Sequence, residues 1–64
     1  MKKATLIEVR QEDYAQHFLT EEGEHVWLCG IDKANGVCEG DVGVLEYVKE
    51  PNRGHYVFRK LLVE

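Results

Sequence analysis

The 64-residue sequence has only two cysteines, one proline and one tryptophan, and it lacks any long apolar run. Two cysteines do not make a disulfide framework, so Cys29 and Cys38 are predicted to be free thiols in a reducing compartment. No apolar stretch reaches the roughly 20 residues that a membrane-spanning helix needs. Glu8 and Arg10 end the first apolar stretch before a signal peptide is complete. We therefore expect a cytoplasmic protein with no membrane partner.

The sequence also lacks the motifs that carry catalysis. It has no nucleophile motif and no glycine-rich loop of the kind that cradles a phosphate. One Cys-x8-Cys pair with three scattered histidines is not the paired spacing of a zinc site. A general base needs a cleft that shifts its pKa, and a barrel of this length is expected to have a filled interior. Asp32 and Asp41 are therefore interpreted as a helix cap and a turn residue. We expect a protein that is not an enzyme and that holds no metal and no cofactor.

Acidic residues outnumber basic ones by 12 to 8, which gives a formal net charge of −4. This balance favours solubility and disfavours non-specific binding to nucleic acid or to an anionic membrane. A local basic stripe can still bind nucleic acid on an acidic protein. The basic residues that would form such a stripe lie towards the two ends of the chain: Lys2, Lys3, Arg10, Lys49, Arg53, Arg59 and Lys60.

Short apolar runs separated by turn residues fill most of the chain. Such runs are typical of the strands of a small all-β domain. The predicted strands are residues 4–10, 14–20, 24–29, 41–48 and 55–62. Five antiparallel strands in a single domain, residues 1–64, close most simply into a barrel without exposed edges. The barrel is expected to be OB-like or SH3-like, with one helical turn in the 30–40 loop capped by Asp32.

Alternation within the runs predicts which side chains face the core. In the first run, Thr5, Ile7 and Val9 form the better core face. The second run is predicted to be a strand, and a helix over 12–19 is the local alternative. Gly43, inside the fourth run, predicts a bulge or a sharp bend. The predicted core consists of Leu6, Ile7, Val9, Phe18, Leu19, Val26, Leu28, Val42, Val44, Leu45, Tyr47, Val57, Phe58 and Leu61.

Two short patterns resemble those of known small β-barrel families. Residues 39–47 have the spacing E-G-D-x-G-x-L-x-Y, which resembles a strand entry of small bacterial β-barrels and the G-D-x-V-x-V strand of S1-like RNA-binding domains in the OB superfamily. The pattern Gly23-x-x-Val26-x-Leu28 is similar to the hairpin that precedes that strand. This resemblance covers about residues 5–60 and implies a barrel that binds single-stranded nucleic acid. An S1-like domain is expected to carry basic side chains on its second and third strands, and here those strands carry aromatic residues and histidines without lysine or arginine.

Aromatic residues on the polar faces of the runs are the candidate binding site. If Val26 and Leu28 point inwards, Trp27 stands at the surface. In the reverse register Trp27 belongs to the core, where tryptophan is usually found. Exposed aromatic side chains are typical of interaction sites. The candidate partner-binding residues are Trp27, Tyr14, His25 and Tyr56.

The first functional hypothesis is a non-enzymatic module for protein–protein interaction or regulation, whose partner is another, basic protein. The alternative is a single-stranded nucleic-acid binder that follows the backbone with basic side chains and stacks bases on aromatic rings. The candidate residues for that alternative are Arg10, Lys49, Arg53, Arg59 and Lys60, together with Tyr56. Self-association through an edge strand is a third hypothesis, and the oligomeric state stays open.

Overall fold

The computed structural model describes residues 2–61, which form one antiparallel sheet of five strands. The strands are β1 (Lys2–Val9), β2 (Gln16–Thr20), β3 (His25–Leu28), β4 (Val42–Lys49) and β5 (Gly54–Lys60). Their order in the sheet is β3-β2-β1-β4-β5, so β1 is central and β3 and β5 are the edges. The all-β prediction with five antiparallel strands is confirmed. The second run is a strand and not the alternative helix.

The sheet curls strongly about its core. Phe18 of β2 and Phe58 of β5 have ring centroids 4.4 Å apart. These strands are three positions apart in the sheet order, which in a flat sheet would separate them by about 14 Å. Within residues 2–61 the two edge strands do not pair with each other, so the sheet is not closed into the predicted barrel.

A bulge in β1 sets which side chains face inwards. The register with β2 shifts between Leu6 and Glu8, which leaves Ile7 as the extra residue. Ala4 and Leu6 are buried before the bulge, and Val9 packs against the core after it. The prediction that Thr5 and Ile7 share the core face with Val9 is therefore wrong, because the bulge changes the alternation. Ile7 is 42% exposed.

All five strands contribute to one small core. Its buried members are Ala4, Leu6, Phe18, Leu28, Leu45 and Phe58. Several residues predicted for the core lie elsewhere: Tyr47 and Leu61 are exposed, and Leu19, Val42 and Val44 lie on the opposite, outer face of the sheet. Strand alternation explains the placement of Leu19, Val42 and Val44, because each is next to an inward-facing residue along its strand.

The loop between β3 and β4 lies across the open side of the sheet. The buried Gln16 side chain of β2 accepts a hydrogen bond from the Ala34 amide (2.8 Å) and donates one to the Ala34 carbonyl (2.9 Å). The 3-10 helix of this loop spans Gly30–Asp32 and contacts β5. The predicted helical turn is therefore present, but Asp32 does not cap it. Its carboxylate instead accepts two hydrogen bonds from the Arg53 guanidinium, at 2.5 and 3.1 Å.

Two further expectations concern the cysteines and membrane spans. Cys29 and Cys38 are exposed free thiols, as predicted. Over the described range, 2–61, no helix has the length and apolar character needed to cross a membrane.

Gly43 has a different role from the predicted bulge. It pairs in regular register with Ala4 on one side and Lys60 on the other. A Cβ atom at this position would collide with the Arg59 carbonyl and with the Phe58 ring. Because Gly43 has no side chain, β5 can approach β4 closely here, next to the Phe58 ring that meets Phe18 across the curled sheet.

Gly43→Ala is expected to lower the free energy of unfolding by about 2 kcal/mol, because the opposing group is backbone that cannot move aside. Gly54→Ala is the matched control. A Cβ atom there would meet the Tyr47 ring, which is 58% exposed and free to swing away, so stability should stay within about 0.5 kcal/mol of wild type. Urea unfolding of both variants measures the difference. Equal losses would contradict the role assigned to Gly43.

Candidate functional site

Trp27 stands on the outer face of the sheet, stacked on a histidine of the neighbouring strand. It lies opposite His17, with ring centroids 4.2 Å apart and planes 11° from parallel. The Thr20 amide donates to the Glu24 carbonyl, so alternation along the hairpin makes Trp27 and His17 a non-hydrogen-bonded pair. Side chains are closest in such pairs. Trp27 is 43% exposed, which decides between the two registers that the sequence left open.

An arginine and an aspartate of the β1–β2 turn extend this cluster. The Arg10 guanidinium carbon lies 5.0 Å from the centroid of the Trp27 ring, within cation–π range. Two hydrogen bonds, of 2.6 and 2.9 Å, hold the guanidinium against Asp13. This pairing, with a further hydrogen bond from the Ala15 amide, lowers the pKa of Asp13 to about 2. It also raises the pKa of Arg10.

Two histidines form a polar row beside Trp27. His17 Nε2 lies 2.8 Å from His25 Nδ1, and the other nitrogen of His17 lies 3.4 Å from a carboxylate oxygen of Glu8. Glu8 is the residue of β1 opposite His17, so the row crosses three strands. We call Trp27, His17, His25 and Arg10 together the Trp27 cluster. His17 was not among the predicted site residues. His17 could have been predicted from the hairpin turn at Gly23, because the register that this turn sets places His17 opposite Trp27.

An apolar groove of about 510 Å³ continues the outer face towards β4. Thr5 lies opposite Leu19 on one side and Val42 on the other, and Ile7 follows on β1. We call these four residues the outer apolar groove. Leu19 is also opposite His25, so the groove and the Trp27 cluster form one continuous surface. A solvated sheet face normally carries polar residues, and an apolar one is typical of an interaction surface.

The other two predicted partner-binding residues lie away from this surface. Tyr14 is 66% exposed in the turn that leads into β2, where its ring lies 5.8 Å from the Lys33 ammonium group. Tyr56 packs against the core in an edge contact with Tyr47 (5.2 Å). It lines a second cleft, of about 330 Å³, between β5 and the loop that precedes β4. The structure brings Trp27 and His25 together and leaves both tyrosines outside their cluster.

The predicted basic stripe is not assembled into one surface. Six of its seven members each lie beside a carboxylate: Lys2 with Glu24, Lys3 with Glu21, Arg10 with Asp13, Arg53 with Asp32, Arg59 with Glu46 and Lys60 with Asp41. Arg59 and Lys60 are consecutive in β5 and therefore point to opposite faces. Lys49 lies opposite Gly54 at the far end of the β4–β5 hairpin. The positive charges are thus dispersed and partly neutralised.

The Asp13 carboxylate offers a direct test of the turn that supports Trp27. Its folded-state pKa is below the unfolded value, so its contribution to stability is full above about pH 4 and is lost as the pH falls from 3.8 towards 2. A carboxyl-detected NMR titration should give a pKa near 2, and Arg10→Gln should raise it towards 3.8. A pKa that Arg10→Gln does not change would contradict the pairing.

Tyr14 has a backbone φ of +58°, a conformation that is unfavourable for a side chain of its size. Glycine adopts this conformation without strain, whereas alanine does not. Tyr14→Gly is therefore expected to be more stable than Tyr14→Ala by about 1 kcal/mol in urea unfolding. Two variants of equal stability would show that the turn relaxes and that Tyr14 is not strained.

Comparison of the chain with family models, with curated proteins and with solved structures found no match. No relative therefore assigns a ligand or a partner to the surface around Trp27. What this surface can bind has to be argued from its own side chains.

Proposed function

We propose that this protein is a non-enzymatic module that binds another protein through the outer face of its sheet. The observation that carries the proposal is the continuity of the Trp27 cluster with the outer apolar groove. Ile7 and Trp27 are both more than two-fifths exposed, so their apolar surface is open to a partner. Large aromatic and aliphatic side chains grouped at one place are the usual anchors of protein interfaces.

Charge supports a basic partner. The chain has a net charge of −4, and the arginine nearest to Trp27 is already paired with Asp13. The carboxylates of Glu8 and Glu12 are mostly exposed beside this surface. Lys3 also lines the groove, but it lies beside the Glu21 carboxylate, so acidic side chains outnumber basic ones around the apolar centre. Such an excess steers a positively charged partner and disfavours an acidic one. The same excess of acidic groups weighs against nucleic acid as the ligand.

Single-stranded nucleic acid is the second candidate, and the strand order favours it. In an OB-type barrel the first strand pairs with both the second and the fourth, as β1 does here, and the face of strands 2 and 3 binds the ligand. Trp27 and His17 lie on the equivalent face, where an aromatic ring could stack on a base. This order supports an OB-type relationship over an SH3-like one. The dispersed positive charge makes nucleic acid the weaker of the two candidates.

Two isoleucines provide a matched test of the protein-binding surface. Ile7 lies in the outer apolar groove, and Ile31 is 89% exposed on the loop before β4. A protein captured quantitatively by the wild-type chain should bind Ile7→Ala and Trp27→Ala at least about tenfold more weakly, as expected for a hot spot. Ile31→Ala should bind it as the wild type does. Equal capture by all variants would contradict the proposed surface.

The nucleic-acid candidate is tested by titrating the Trp27 fluorescence with single-stranded DNA and RNA at low salt. The protein-binding proposal predicts no saturable change. Saturable quenching with an affinity that falls steeply as salt increases would favour nucleic acid as the ligand. Ile7→Lys separates the two further, because an added positive charge weakens binding of a basic protein and strengthens binding of a polyanion.

A further inference from the structure

The His17–His25 pair presents two metal-ligating nitrogen atoms at short range on the outer face. His17 Nε2 and His25 Nδ1 are 2.8 Å apart, and both side chains come from regular strands that fix their spacing. His25 is exposed, so an ion can reach the pair from solvent. Imidazole nitrogen suits zinc, copper and nickel among the divalent ions. The register of the β2–β3 hairpin makes His17 and His25 diagonal neighbours on this face, where they offer two imidazole ligands to one ion.

We propose that His17 and His25 together bind a divalent transition-metal ion, with Cu²⁺ preferred. Two nitrogens that ligate one ion at about 2.0 Å lie about 2.8 Å apart in adjacent square-planar positions and about 3.3 Å apart in a tetrahedron. The 2.8 Å contact between the two histidines is a hydrogen bond, so the rings must rotate about χ2, a soft torsion, to turn both lone pairs towards the ion. Because this rotation changes the separation, the preference for Cu²⁺ rests on the intrinsic affinity order of the divalent ions.

Glu8 supplies the support that a ligating histidine normally has. Its carboxylate lies 3.4 Å from His17 Nδ1, where it accepts the proton of that nitrogen and leaves Nε2 with a free lone pair. Without metal, His25 Nδ1 then donates to His17 Nε2, because a hydrogen bond between them carries one proton. On metal binding His25 takes up a proton from water at Nε2 and releases that of Nδ1 to water. Both imidazoles stay neutral throughout.

The site has two protein ligands. Within residues 2–61 no group of three or more histidine, cysteine or carboxylate side chains is placed to hold an ion. Water takes the remaining positions. Glu8 is a positioning residue, since it acts through His17 and does not touch the ion. Such a site favours Cu²⁺ over Ni²⁺ and Zn²⁺ by the intrinsic affinity order of these ions.

The single tryptophan reports on the site directly, because its ring stacks on His17 at 4.2 Å. The experiment titrates the Trp27 fluorescence with CuCl₂ in a Cys29→Ser, Cys38→Ser background, which removes thiols that would bind or reduce Cu²⁺. Saturable quenching at one equivalent is expected. His17→Gln and His25→Gln should each weaken Cu²⁺ binding at least about tenfold, and Glu8→Gln roughly tenfold through loss of support.

His55→Gln is the matched control, since His55 lies on β5, remote from the pair in the sheet order, and its loss should leave Cu²⁺ binding unchanged. His25 is exposed, so His25→Gln is expected to fold as the wild type does. Circular dichroism checks that each variant is folded. Quenching that survives in folded His25→Gln would overturn the site. ZnCl₂ that displaces Cu²⁺ at equal concentration would overturn the preference for Cu²⁺.

Discussion

The contact between Phe18 and Phe58 requires the sheet to curl, and the rest of the structure depends on that curl. The two rings meet across three strand spacings, at a centroid distance of 4.4 Å. Two local features permit it. The bulge at Ile7 bends the central strand, and Gly43 lets β5 approach β4 without a Cβ collision. A chain of this length buries only a small core, so a flat sheet would leave its large side chains exposed to solvent.

The curl also determines what remains for function. The concave side is filled by core side chains and crossed by the loop that Gln16 holds. The convex side is left with Trp27, His17 and the outer apolar groove in adjacent register positions. Many of the remaining charged side chains are paired in salt bridges. Recognition of a basic protein and binding of a metal ion by two histidines are both proposals about this one outer face.

Strands and turns could be predicted from the sequence because their signals are local. Gly23 adopts a φ of +86°, as its place in the β2–β3 turn requires, and this turn sets the register that joins His17 to Trp27. The bulge at Ile7 could not be predicted, since it reflects the fit of β1 to two neighbours at once. Because β1 carries apolar residues on both faces, regular alternation allowed Thr5, Ile7 and Val9 to be taken as the core face. The Gln16–Ala34 hydrogen bonds join residues 18 apart in the chain and leave no local signal.

The assignment of inner and outer faces can be measured through the methyl groups of β1. A soluble paramagnetic probe broadens the NMR signals of side chains that solvent can reach. The structure predicts strong broadening for Ile7, which is 42% exposed and should approach the broadening of Ile31, and almost none for the fully buried Leu6. Protection of Ile7 together with broadening of Leu6 would contradict the curl and the outer surface that follows from it.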